Sequence, residues 1–215
     1  MTLILCYITD RSQFPGDRAA QEARLLVKIA ECSAAGVDYI QLREKDLSGR
    51  DLERLAERAL NAFFGGSKTR FLINSRVDVA LACGARGVHL PAHDVSAREA
   101  RAVFSRAGAV PPIISASCHS VEEVVHAEAG GADFAVFGPV FEKDGKPSSQ
   151  GLRRLSEACH RKPGSGVALP VLALGGVTLE NAEQCVRAGA KGIAAIRLFQ
   201  QNNAFDVVQK LLAIP

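Results

Sequence analysis

No run of apolar residues in this chain approaches the length of a membrane span, which argues against a transmembrane helix. The N-terminal stretch Met1-Thr2-Leu3-Ile4-Leu5-Cys6 is apolar, but Asp10 and Arg11 end it too soon for a signal-peptide core and its cleavage site. A C-x-x-C pair is also missing. The six cysteines, Cys6, Cys32, Cys83, Cys118, Cys159 and Cys185, are scattered and read as small buried residues of a reducing cytoplasm, so neither a disulfide framework nor structural zinc is expected. A formal net charge of +3 provides no global basic field, which argues against nucleic acid as a partner. A few gathered cations could still serve a small anionic ligand, and a homo-oligomer is compatible with this composition.

With 215 residues, 47% of them apolar and 23% charged, the chain can bury a full core as one domain spanning 1–215. A short echo recurs as Ala34-Ala35-Gly36-Val37, Ala82-Cys83-Gly84-Ala85, Gly130-Gly131-Ala132-Asp133 and Ala188-Gly189-Ala190-Lys191. Each echo closes a helix-period segment and leads into an apolar run, with glycine supplying the left-handed cap from which the chain turns into a strand. Eight apolar runs are strand candidates: residues 3–8, 39–42, 71–74, 87–90, 113–116, 134–137, 171–174 and 192–196. Helical spacing fills segments between them, at 20–34, 52–64, 97–104, 121–129, 179–188 and 205–212. Capping boxes open two of these, Ser96-Ala97-Arg98-Glu99 and Ser120-Val121-Glu122-Glu123. Alternating strands and helices predict a parallel sheet with right-handed crossovers. A doubly wound sheet would gather its site near one switch in strand order. Here polar groups follow nearly every strand, which predicts closure into a single (β/α)8 TIM barrel with its site on the rim at the strands' carboxyl ends.

Several groups on that rim carry chemistry. Gln41, Arg43 and Lys45 alternate in Gln41-Leu42-Arg43-Glu44-Lys45, and two cations with a neutral donor suit a diphosphate; equally, Glu44 and Asp46 could neutralise both in a salt-bridged loop. Asn74 could donate to a phosphate oxygen or cap the helix that follows. Asp94 could serve a hard Mg²⁺, which takes one or two carboxylates plus substrate oxygens and water, or could simply precede the helix capped by Ser96. His89 and His93 lack a third protein ligand for zinc, and His89 is expected to point into the barrel or helix layers. In Ser117-Cys118-His119-Ser120, neighbours on an extended chain point apart, so Cys118 and His119 are poorly placed to activate each other, and Ser117 as a hydrogen-bond donor to ligand is a better reading than any triad. Residues 139–150 form the longest irregular stretch, where Lys143 and Lys146 could close over an anion or belong to an ordinary solvated loop. Gly175-Gly176 follows the seventh strand and a helix is expected to open at Thr178; with Arg197 after the eighth strand, this is where phosphate-binding barrels form their anion nest.

These pieces resemble the thiamine phosphate synthases and the related thiazole tautomerases. The resemblance rests on Tyr7-Ile8-Thr9-Asp10, Gln41-Leu42-Arg43-Glu44-Lys45, Ile73-Asn74 with Arg76-Val77-Asp78, Gly87-Val88-His89-Leu90, Ser117 with His119, Gly138-Pro139-Val140-Phe141 and Leu174-Gly175-Gly176, in order over nearly the whole chain. It implies a cytoplasmic transferase whose partners are phosphorylated pyrimidine and thiazole small molecules, joined with release of diphosphate. Carried over by position, Arg43, Lys45, Asn74 and Lys146 would hold the diphosphate with Gln41 and Ser117 nearby, and Asp94 would ligate Mg²⁺. Gly175, Gly176 and Ile196-Arg197 would hold the thiazole phosphate. The chain departs from the synthase pattern at Ser75, where a second metal-binding aspartate is usual, at Lys143 and Gly145, which replace phosphate-touching threonines, and at Arg197, which replaces a serine. The tautomerases also lack that aspartate, but depend on a histidine where this chain has Pro139, which cannot shuttle protons. An isomerase of that kind and a binding protein without turnover are the alternative readings.

Overall fold

The computed structural model describes residues 3–63, 65–141, 150–162 and 168–215. Eight parallel strands, β1 (Ile4–Ile8), β2 (Tyr39–Leu42), β3 (Arg70–Asn74), β4 (Gly87–Leu90), β5 (Ile113–Cys118), β6 (Phe134–Phe137), β7 (Val171–Leu174) and β8 (Gly192–Ala195), pair in chain order and close when β8 meets β1. Every one of the eight apolar runs is a strand. Nine α-helices lie among the described residues: α1 (Arg18–Ala35), α2 (Gly49–Asn61), α3 (Val77–Ala82), α4 (Ala97–Arg106), α5 (Val121–Ala129), α6 (Gly151–Cys159), α7 (Ala182–Arg187), α8 (Arg197–Gln200) and α9 (Ala204–Leu212). One glycine of each echo, Gly36, Gly84, Gly131 and Gly189, holds positive φ; at Gly36, with φ 88°, the amide caps α1 by reaching back to its last carbonyls.

Strand parity divides the side chains into two cores. Outward residues such as Leu5, Tyr7, Ile40, Leu42, Phe71 and Val88 pack under the helices. Inward residues form a second cluster that contains Cys6, Ile8, Leu72, Phe134, Val136, Leu172 and Ala194. By the same parity Gln41, Asn74, His89, Ser115 and Ser117 also face inward, in register with members of that cluster: Gln41 pairs with Leu72 and Ser117 with Val136. The interior is therefore polar on its β2–β5 side. The opposite wall, with Ile8, Val136, Leu174 and Ile196, stays apolar.

Two expectations change. The segment expected to be helical from residue 179 enters α7 only at Ala182, because the Asn181 side chain accepts from the Thr178 amide at 2.8 Å and holds a turn there. At α4 the capping box forms in full, whereas at α5 only Ser120 caps; the Glu123 carboxylate instead accepts from the His119 amide at 2.6 Å. Helices α6 and α8 lie outside the segments singled out by helical spacing, and neither has a side-chain cap.

Candidate active site

Strand β2 ends at Leu42, and the residues after it separate by sign. Glu44 turns inward, where its Oε1 accepts from the Thr9 hydroxyl at 2.6 Å and its Oε2 from Arg11 Nη1 at 2.9 Å. Asp46 accepts from the same guanidinium, Nη1 to Oδ1 at 2.7 Å, with a second contact through Nη2. Both carboxylates are thus drawn off by Arg11, and the salt-bridged loop that would neutralise Arg43 and Lys45 does not form. Among the described residues neither cation has an ion-pair partner. Burial holds the Glu44 carboxyl above its usual range despite the Thr9 and Arg11 hydrogen bonds, while the Arg11 bond holds Asp46 below its own.

Asn74 closes β3 and does not cap: α3 is entered through Arg76, without a side-chain cap. Its Oδ1 accepts from Gln41 Nε2 at 3.0 Å, which leaves the Asn74 amide donors free among the described residues. Next in the chain, Ser75 adopts a left-handed backbone, φ 66°, with its amide on the His89 carbonyl at 2.8 Å. That conformation aims the Ser75 hydroxyl at Asp94 Oδ2, to which it donates; Asp94 Oδ1 accepts from the Val95 amide at 2.8 Å.

His89 lies inside the barrel, 4% exposed, with Nδ1 2.8 Å from Ser115 Oγ and Nε2 2.7 Å from Ser117 Oγ. Burial, aided by the nearby charge of Arg43, pushes its pKa down to about 3. A neutral ring has one donor and one acceptor nitrogen, so one of the two serine hydroxyls donates to His89 and the other accepts from it. Ser117 lies at the mouth end of this chain of hydrogen bonds and is partly exposed, whereas Ser115 is buried. Cys118 is buried and its thiol is pushed up to about 12, and His119 turns its Nδ1 to the Gly138 carbonyl; neither is set up as a nucleophile or its base.

Across the mouth a cavity of about 420 Å³ opens, lined by Gly175, Gly176, Val177, Thr178, Ile196 and Arg197 among others. Gly175 and Gly176 both hold positive φ, 95° and 66°, and a Cβ on Gly175 would come within 2.6 Å of Pro139. The Gly176 and Val177 amides have no acceptor among the described residues. These unpaired amides stand at the turn itself, and no helix opens at Thr178. Gln13, Gln201 and Asn202 line the same cavity. Nothing local marks those amides, since Gln13 lies far in sequence from the other two. Lys143 and Lys146 lie outside the described residues.

The donor set at Asp94 fits a hard divalent cation. One carboxylate with a hydroxyl beside it supplies part of an oxygen shell, and the rest must come from an anionic ligand and water, since no group of three or more His, Cys, Asp or Glu gathers among the described residues. No described helix is long and apolar enough to cross a membrane.

A closed (β/α)8 ring whose mouth carries two cations and an amide, unpaired among the described residues, on one side and a glycine-walled cavity on the other suits an enzyme of phosphorylated small molecules. The sequence pattern of the thiamine monophosphate synthase family matches residues 5–199, and the chain belongs to that family. It is 39% identical to a thiamine-phosphate synthase of Chlorobium luteolum over 98% of this chain and 92% of that one. A second relative, the thiamine-phosphate synthase of Methanoculleus marisnigri, is also 39% identical, over 89% of this chain and 85% of its own. Among solved structures, the thiamine phosphate pyrophosphorylase of Pyrococcus furiosus superposes with a TM-score of 0.79 at 29% identity, covering 99% and 95% of the two chains.

Proposed function

We propose that this chain is a cytoplasmic thiamine-phosphate synthase, a transferase that couples a hydroxymethylpyrimidine diphosphate to a thiazole phosphate within a single domain spanning 1–215. The carbon–oxygen bond to diphosphate breaks, the pyrimidine ring shares the positive charge left on the methylene carbon, and the thiazole nitrogen closes on that carbon. Such a reaction needs little proton transfer from the protein. It needs the leaving anion stabilised and the two halves held within bonding reach.

In this reading Arg43, Lys45 and the free amide of Asn74, with Lys146, take the diphosphate as its charge develops. Gln41 turns Asn74 for that task, and Ser117, its hydroxyl oriented by His89, bonds the pyrimidine side. Gly175, Gly176, Ile196 and Arg197, with Lys143, take the thiazole phosphate, and the apolar wall of Leu174 and Ile196 excludes water from the reacting carbon. Asp94, aligned by Ser75, would hold magnesium, which when bound neutralises part of the diphosphate charge. The observation that carries the reading is the escape of Arg43 and Lys45 from their own neighbouring carboxylates, on the same rim as the glycine-walled cavity, in a chain of this family.

Purified protein given both phosphorylated halves and Mg²⁺ is expected to form thiamine phosphate, and Lys45→Ala and Asp94→Ala are each expected to cut turnover by about 100-fold or more. No product, beside a known synthase that does produce it, would reject the proposal; tight calorimetric binding of thiamine phosphate without turnover would assign the chain to binding instead.

A further inference from the structure

We infer that Arg11 is a positioning residue that keeps the cations of the β2 loop available to an anion by holding both of the carboxylates interleaved with them. The inference rests on the reading of Arg43 and Lys45 as the diphosphate-binding pair.

The segment Arg43-Glu44-Lys45-Asp46 alternates in sign. Left to itself, such a loop satisfies its cations with its own acids, and an incoming diphosphate must displace them. Arg11 prevents this from a position 33 residues away from Glu44 and 35 from Asp46. Its planar fork reaches two carboxylates at once: Nη1 to Glu44 at 2.9 Å and to Asp46 at 2.7 Å, and Nη2 to Asp46. The Arg11 amide adds a third grip, 3.1 Å from Glu44 Oε2. Arg11 is 4% exposed, whereas the Asp46 side chain is 68% exposed and would be free to swing toward Lys45 without its partner. Thr9 completes the device: its hydroxyl donates to Glu44 and accepts from the Arg43 amide at 2.9 Å, so the same cluster fixes the backbone from which Arg43 projects. A lysine at position 11 could serve only one of the two acids, and the buried Glu44 would keep it.

The test is calorimetric titration of inorganic diphosphate, in magnesium buffer, into the full-length protein and three variants. Arg11→Lys is expected to bind roughly five-fold more weakly, the scale of one exposed ion pair newly formed in competition. Asp46→Asn alone is expected to stay within about two-fold of the unaltered protein, because Asp46 is already held; added to Arg11→Lys, it is expected to restore affinity to within about two-fold. A purely structural role for Arg11 predicts no such rescue, so a double variant as weak as Arg11→Lys overturns the inference. So does an Arg11→Lys protein that binds as well as the unaltered one. If the unaltered protein takes up no diphosphate at all, the diphosphate reading of the β2 loop fails first, and the role of Arg11 with it.

Discussion

His89 has no solvent to share its charge with, and its two nitrogens are already matched by the hydroxyls of Ser115 and Ser117. With its pKa pushed down to about 3 from an ordinary 6.5, the folded chain keeps the ring neutral over a range in which the unfolded chain protonates it. The sign follows from linkage: as pH falls below 6.5 the unfolded state gains a proton that the native state refuses, so stability falls by about 1.4 kcal/mol per pH unit until pH nears 3. Glu44 acts in the opposite direction, since burial raises its pKa and its native form accepts a proton first. Subtracting a variant isolates the histidine. His89→Asn, unable to protonate, is expected to show a slope of unfolding free energy shallower by about 1.4 kcal/mol per unit between about pH 4 and 6, measured by urea titration. Parallel slopes would mean that His89 is protonated inside the barrel and cannot fix Ser117 as described.

Elements that carry their own boundary signals were legible in the sequence. Ser96 with Glu99 opens α4 where the capping box said it would, and Ser96→Ala is expected to cost about 1 kcal/mol in chemical denaturation. Strand β4 is defined as much by what Gly87 lacks: a Cβ there would come within 1.8 Å of the Ile113 carbonyl oxygen, on the neighbouring β5 backbone that cannot yield without parting the ladder. Gly87→Ala is accordingly expected to lose about 3 kcal/mol or more, at the upper end of overpacking, and to lower the thermal midpoint; a neutral result would contradict the closeness of β4 and β5. Helix α8 is different. Its four residues carry no cap and no period, and tertiary bonds from Gln200 hold it. The same limit governed the site. Glu44 and Asp46 look like partners for Arg43 and Lys45 when the chain is read locally, and only folding brings in Arg11. The groups on the rim could be named from strand ends because parity and glycine are local; which charge meets which is not.

Closing the ring sets β1 between the two sides of the mouth, and its exit strand touches both. Thr9 and Arg11 grip Glu44 beside the cation pair, while between them the Asp10 backbone is fastened to Gln200, amide to Oε1 at 2.9 Å and carbonyl from Nε2 at 3.0 Å. Gln200 Oε1 also accepts from the buried Tyr7 hydroxyl at 3.1 Å, and Gln200 ends the helix that Arg197 begins at the glycine-walled cavity. One amide side chain therefore sets the spacing between the sites read here as holding diphosphate and thiazole phosphate. Gln200→Leu would strand two polar groups, the Tyr7 hydroxyl and the Asp10 amide, at about 1–3 kcal/mol for each that stays dry, and would leave the Asp10 carbonyl with the Gln13 amide alone. Loss of stability alone would not distinguish a spacer from a core residue, but kinetics would. Gln200→Leu, assayed below its melting range, is expected to raise the KM for both substrates together, since α8 and the β1 exit lose their common anchor. Arg197→Ala, which touches only the cavity side, is expected to raise the KM of the thiazole phosphate alone. If Gln200→Leu reproduces the one-sided pattern of Arg197→Ala, the two halves of the mouth are held independently and β1 does not couple them.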